Sequence, residues 1–211
     1  MIEENDFQKY NKTYAANLFV DTDKFKNDLP FNRRFFHIGY IGRFNDEKGV
    51  LNFVKALPQI LNQNNDLNIL IAGEGELQNE IEKRVEEINF HDRITVKGWI
   101  SHAELPLYLN NLKLLVVPSH SEGLPNMVIE AMACGTLVLA THVGAIPSVI
   151  SDEKTGFIMD NNSPICIAEN IKRVLNYPNL ENITHKAENS IKKEFTYEVS
   201  VKRYNIIFRN I

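Results

Sequence analysis

Arg43 and Lys48 lie five residues apart in the segment Gly42-Arg43-Phe44-Asn45-Asp46-Glu47-Lys48-Gly49. The segment separates an apolar run ending at Ile41 from a stretch with helical apolar spacing beginning near Val50, so it joins a strand to a helix. A helix N-terminus favours an anion through its free N–H groups and its dipole. Arg adds a bidentate grip on phosphate and Lys a compact point charge, so one reading is a diphosphate site. The other is a surface pair balanced by Asp46 and Glu47. A second loop, Pro118 to Gly135, sets Glu122 and Glu130 eight residues apart, the first in the loop and the second a turn into a helix. Gly123 permits a tight backbone between them, and the peptide groups around Leu124, Pro125, Asn126 and Met127 open that helix. Hydroxyl-binding carboxylates on either side of an anion-binding helix terminus suit a sugar joined through a diphosphate to a ribose. Alternatively, Glu122 is a cap and Glu130 a surface charge, with Ala131, Ala133 and Gly135 only allowing close packing.

Other loops carry weaker signals. Gly73-Glu74-Gly75-Glu76 resembles the start of a dinucleotide fingerprint, but Gln78 occupies the third glycine's place. It reads better as a turn that lets another loop approach closely. Gly98-Trp99-Ile100-Ser101-His102-Ala103-Glu104 holds a Ser-x-x-Glu capping box, and the backbone before it is free to read a base edge. Asp21-Thr22-Asp23 has the form of a metal-binding Asp-x-Asp but follows no sheet strand. His120 lacks a partner at catalytic spacing and reads as a loop imidazole beside the ligand, and His142 follows the Leu137–Ala140 strand and could touch it. Lys192-Lys193 reads as a solvated helix face, and Trp99 either helps shape a base pocket or, by default, packs.

These loops need a scaffold. Apolar runs at Phe35–Ile41, Leu67–Ala72, Ile94–Val96, Leu114–Val117, Leu137–Ala140 and Gly156–Met159 alternate with helical stretches. The helices are expected from Lys48, over Leu77–Ile88, Ser101–Leu109, Asn126–Cys134 and Ile146–Ile150, and throughout the text after Ser163. Pro58 should kink or shorten the first of them. Nearly continuous apolar strands joined by helices predict right-handed crossovers and a parallel sheet covered on both faces. The fold class is α/β: a Rossmann-like doubly wound parallel sheet with extra C-terminal helices. Residues 1–34 read as a linker or lead-in with at most one short strand at Leu18-Phe19-Val20, and 35–211 as the domain. Ligands of such folds bind at the carboxyl ends of the strands.

Composition narrows the classes. The chain has 211 residues, 44% of them hydrophobic and 24% charged, with a net charge of -4. That balance excludes disorder and a histone-like nucleic-acid binder. Cys134 and Cys166 cannot make a disulfide framework. Glu3, Glu4 and Asp6 stand where a leader would be basic, and no apolar stretch reaches the roughly 20 residues of a membrane span. A cytoplasmic protein is the expectation.

Taken in order, Gly-Arg-x4-Lys-Gly, Gly-x-Gly, Ser-x-x-Glu-Gly, Glu-x7-Glu and Ala-Met-Ala-x-Gly resemble the donor-binding domain of retaining glycosyltransferases of family 4 (group 1), from about Asn17 to Ile211. That domain is the C-terminal half of a GT-B fold. The resemblance implies transfer of a hexosyl group from a nucleoside-diphosphate sugar with retention, without a metal or other cofactor. It gives Arg43, Lys48 and Glu122 the catalytic roles: Arg43 and Lys48 on the diphosphate and leaving group, Glu122 on the sugar hydroxyls. Glu130 would meet the ribose, the backbone near Ile100 the base, and Gly75 with Gly123, Leu124, Pro125, Asn126 and Met127 the sugar and phosphate. Val20-Asp21-Thr22-Asp23-Lys24-Phe25 would be structural. An acceptor-binding N-terminal domain would be needed in cis or in trans, bringing a glycan or lipid acceptor and with it a place at the inner membrane face. The chain then reads as a fragment, probed against one alternative: a non-catalytic nucleotide-sugar-binding module that pairs with a separate polypeptide. Alone, it would transfer weakly or not at all.

Overall fold

The alternation of apolar runs and helical stretches folds as a single sheet in the computed structural model, which describes residues 19–123 and 125–209. Six strands, β1 (Phe36–Ile41), β2 (Ile69–Ala72), β3 (Ile94–Lys97), β4 (Leu112–Val117), β5 (Leu137–Thr141) and β6 (Phe157–Met159), pair in parallel in the order β3-β2-β1-β4-β5-β6. Ile38 lies opposite Ile69 on one side and Leu114 on the other. Successive residues of a strand face opposite ways. Ile69, Ile71, Leu137 and Leu139 therefore enter one core layer, while Leu70, Ala72, Val138 and Ala140 enter the other.

Each layer is closed by helices whose apolar stripes the sequence spacing predicts. On the first face lie α1 (Val50–Gln63), α2 (Gln78–Glu86) and α6 (Pro164–Leu175). On the second lie α3 (Leu105–Asn110), α4 (Asn126–Ala133) and α5 (Ile146–Val149), and α7 (Leu180–Glu194) contributes to both. Burying each such Leu, Ile, Val or Phe side chain is worth about 1.5–3 kcal/mol, which is why both faces of a parallel sheet must be covered. Ser163 caps α6, accepting from the Cys166 N–H at 3.3 Å, with Pro164 at the first helical position. Pro58 does not shorten α1: the helix runs unbroken to Gln63, with Pro58 on its exposed side. The ring and the lost N–H bond thus fall on the solvent side, and Val54, Leu57 and Leu61 keep their burial.

Residues 19–34 form no strand at Phe19-Val20; Val20 and Phe25 pack in the second layer and Phe31 against the first, and Leu18 lies outside the described residues. Phe25 is fully buried, and the Val20 N–H donates to the Phe195 carbonyl at 2.9 Å. Asp21 is spent on a turn, its carboxylate accepting from the Asp23 and Lys24 N–H groups. Arg34 is the polar anchor at 3% exposure. Its guanidinium donates to the carbonyls of Leu112 (2.9 Å) and Cys134 (2.7 Å), to Thr136 Oγ1 (3.1 Å) and to Asn27 Oδ1 (3.0 Å). Burial pushes its pKa down to about 10, still charged at neutral pH, and pushes the Cys134 thiol up to about 12. The last helix, α8 (Tyr197–Arg209), leaves Tyr197, Val201, Tyr204 and Phe208 exposed; Tyr197 meets Phe19 edge-on at 5.2 Å.

Candidate functional site

Strand order reverses between β1 and β4, and the loops after β1, β2, β3 and β4 meet at their carboxyl ends. Backbone bonds stitch three of those loops together. The Phe44 N–H donates to the Glu74 carbonyl (2.8 Å), the Leu77 N–H to the Phe44 carbonyl (3.0 Å) and the His120 N–H to the Glu47 carbonyl (2.8 Å). Gly75 explains the second glycine of Gly73-Glu74-Gly75: a Cβ there would lie 2.4 Å from the Phe44 carbonyl oxygen. That is the close approach of loops expected from the failed dinucleotide fingerprint, and Gly75 stands against Phe44.

The stitched loops frame one groove with two lobes that share Ile41, Gly42, Asn126 and Met127. The polar lobe, so called for Lys48, Ser119 and Glu122, has a volume of about 210 Å³ and is otherwise walled mainly by apolar residues, among them Val116, Val117 and Pro125, with Tyr40. Here Lys48 Nζ donates to Glu122 Oε1 at 2.8 Å, and Ser119 Oγ donates to the same oxygen at 2.6 Å. Tyr40 donates its hydroxyl to the Arg43 carbonyl at 2.6 Å, and burial, then the Glu122 charge, raises its pKa above the usual phenol range. Two cores of one reading, the Lys48 cation and the Glu122 carboxylate, are thus neighbours across 74 residues of sequence.

The other lobe, about 300 Å³, is mainly apolar and lined by Ile41, Trp99, Ile100, Leu105 and Met127, with Arg43, His102 and Glu130 as its charged or titratable members. Glu130 is 8% exposed, which removes the surface-charge reading. Its Oε1 lies 2.9 Å from His102 Nε2, and the His102 ring stands 5.2 Å from the Phe25 ring. Arg43 is exposed and makes no side-chain hydrogen bond or ion pair among the described residues. Between the lobes α4 begins at Asn126, and Pro125 before it offers no side-chain cap, so nothing described bonds the N–H groups of Asn126 and Met127. An anion could be held there by Arg43, Lys48 and the helix start together.

Not every candidate lands in the groove. Gly123 is exposed beside Glu122 and its carbonyl accepts from the Ala145 N–H at 3.2 Å; Leu124 lies outside the described residues. The Ser101–Glu104 box forms as expected, Ser101 Oγ to Glu104 Oε2 at 2.7 Å and the Glu104 N–H to Ser101 Oγ at 3.3 Å. It closes a turn before α3 instead of the helix's own first turn. Trp99 corrects the packing default: it is 65% exposed on the rim of the apolar lobe. Tyr40, Ser119 and His102 are additions to the expected set. Their signal was position alone, each lying at the same sheet edge as the expected residues. Among the described residues no cluster of three or more His, Cys, Asp or Glu is placed to hold a metal ion, and no helix is long and apolar enough to cross a membrane.

Residues 21–193 match the family described as glycosyl transferases group 1. The capsular polysaccharide biosynthesis glycosyltransferase CapM of Staphylococcus aureus is 31% identical over 167 residues, 78% of this chain and 43% of CapM. An uncharacterized glycosyltransferase of Methanocaldococcus jannaschii is 28% identical over 185 residues, 87% of this chain and 51% of that protein. The chain spans about half the length of these curated relatives. Among solved structures, the C-terminal domain of a group 1 glycosyl transferase, LpcC, from Francisella tularensis matches with a TM-score of 0.76 at 25% identity. It covers 84% of this chain, and 99% of that domain is matched. The architecture is that of GT-B C-terminal domains, and the chain belongs to the group 1 glycosyltransferases.

Proposed function

We propose that this chain is the donor-binding half of a glycosyltransferase that transfers a hexosyl group from a nucleoside-diphosphate sugar, with retention. The acceptor, a glycan or lipid, is held by an N-terminal domain supplied in cis or in trans, on the cytoplasmic side. One observation carries the reading: a single groove at the strand-order reversal joins an apolar lobe, an uncapped helix start and a polar lobe, with opposed charges at fixed places. Base and ribose occupy the apolar lobe, with the ribose hydroxyls on Glu130. The diphosphate lies over the start of α4 between Arg43 and Lys48, and the sugar hydroxyls meet Glu122.

The chemistry follows from charge. Breaking the bond between the sugar and the diphosphate leaves negative charge on the departing oxygen. Arg43, Lys48 and the α4 N–H groups neutralise it in a site built before the reaction begins. Lys48 exchanges its Glu122 partner for a phosphate oxygen, which frees Glu122 for the sugar. Removing one such donor costs about 10²–10³ in rate in comparable sites.

The test needs no acceptor. A nucleoside diphosphate at 100 times its Kd should stabilise the fold by about 2.7 kcal/mol. For a chain of this size that raises the melting temperature by several degrees. Uridine and guanosine diphosphates are the first probes. Arg43→Ala and Lys48→Ala should abolish the rise. No rise with any nucleoside diphosphate at millimolar concentration would sink the donor-site reading.

A further inference from the structure

We propose that Ser119 is the positioning residue of Glu122, keeping its carboxylate in place when Lys48 leaves it for a diphosphate. The proposal rests on the donor-site reading above and adds a residue to it. Glu122 is held at one oxygen: Oε1 accepts from Lys48 Nζ at 2.8 Å and from Ser119 Oγ at 2.6 Å. Oε2 has no partner among the described residues, so it is the atom left for a ligand hydroxyl. The Ser119 bond has the short length that a hydroxyl makes to an ionised carboxylate. The Glu122 side chain is 9% exposed, so little water is at hand to replace a lost partner. A carboxylate so enclosed is costly to leave without any donor.

The backbone around both partners is fastened. The His120 N–H donates to the Glu47 carbonyl at 2.8 Å, joining the residue after Ser119 to the residue before Lys48. On the other side, the Pro118 carbonyl accepts from the buried Asn162 Nδ2 at 2.9 Å. Gly49 closes on the same carbonyl: its φ is +66°, and a Cβ there would lie 2.0 Å from the Pro118 oxygen. Ser119 is therefore pinned at the peptides on both sides, and it is itself 2% exposed. The two partners differ in what they can do next. Lys48 carries its charge at the end of a flexible four-carbon stem and can swing to a phosphate oxygen. The Ser119 hydroxyl has no such stem and can only rotate about its Cβ. One partner that stays lets the other leave without stranding the carboxylate. Without Ser119, every diphosphate that recruits Lys48 would have to strip Glu122 of its last described partner.

A double-mutant cycle separates this role from mere support of the loop. Uridine and guanosine diphosphates are titrated by calorimetry into the wild type, Ser119→Ala, Glu122→Ala and the double variant, with melting temperatures measured in parallel. Ser119→Ala should weaken the diphosphate that binds best about tenfold, close to the worth of one hydrogen bond to a charged group. In the Glu122→Ala background the same substitution should change affinity less than about twofold, because no carboxylate is left to strand. Ser119→Cys keeps the volume of the side chain but offers only a weak donor, so it should lose nearly as much as Ser119→Ala. It also stands in should the alanine variant show no melting transition. A loss of equal size in both backgrounds would mean that Ser119 supports the loop and does not act through Glu122, which overturns the proposal. Unchanged affinity in Ser119→Ala or Ser119→Cys overturns it as well, while the donor site stands. If neither diphosphate stabilises the wild type, the site reading itself has failed, and the positioning role falls with it.

Discussion

Glu130 carries a charge into a nearly closed place, and His102 Nε2 is the partner the fold gives it. A hydrogen bond of that kind nets about 0.5–1.5 kcal/mol, but its loss leaves a buried carboxylate oxygen searching for another donor. In the donor-site reading His102 aims Glu130 at the ribose. His102→Ala should therefore weaken a nucleoside diphosphate by about threefold to tenfold and spare inorganic pyrophosphate, as calorimetry can measure. Equal weakening of both would place the effect on the phosphates and refute the aiming role. At this scale the sequence was readable in kind and blind in pairing. Arg43, Lys48, Glu122 and Glu130 announce themselves by type and loop position. That Lys48 and Glu122 hold each other, or that His102 reaches Glu130, depends on which loops the sheet makes adjacent, and no local spacing encodes that.

The elements that bring them together were legible where periodicity was strong. Leu67–Ala72 and Leu137–Ala140 read as strands by their unbroken apolar runs, and the strands that form there, Ile69–Ala72 and Leu137–Thr141, are buried at every residue, as a parallel sheet demands. Pro58 misled because a local rule says nothing of which side of α1 it occupies. The capping box was right in its bonds but misplaced by a turn, since a box can close a turn that precedes the helix proper. Gly144 shows how neighbouring elements fix the loop of Glu122. It has a φ of +53°, and a Cβ there would lie 1.6 Å from the Glu122 carbonyl oxygen. Gly144→Ala must push that loop aside. It should lower stability by about 1–3 kcal/mol in urea unfolding and reduce nucleotide affinity as well. Lost stability with unchanged affinity would show that the loop after β5 does not position the Glu122 loop.

For the molecule as a whole, the first and last described segments meet on one face. Phe19 touches Tyr197 and the Val20 N–H reaches Phe195, while Arg34 binds the ends of α3, β4 and α4 together. Cys134 lies beside Arg34, and its thiol is raised to about 12 from 9.0 by burial. The folded state therefore holds that proton more tightly than the unfolded chain does. Its contribution is fully present below pH 9 and is lost as pH rises from 9 to about 12. Tyr40, also raised by burial, adds loss in the same direction above pH 10, while Arg34, lowered to about 10, works the other way and offsets part of it. Urea midpoints should fall over this range, and Cys134→Ala should flatten the fall. An unchanged slope would put the linkage elsewhere.

The strand order has a consequence for the moment of synthesis. β1 is made early and its partner β2 follows within thirty residues, but the partner of its other edge, β4, is made more than seventy residues later. On a ribosome adding about 5–20 residues per second, that apolar edge stays open for several seconds. An unpaired strand edge is a template for the wrong partner. The groove is walled by residues from both ends of this gap, Arg43 and Lys48 at its start and Glu122 and Glu130 after its close. A nascent chain can therefore offer a complete groove only after the hazard of the open edge has passed.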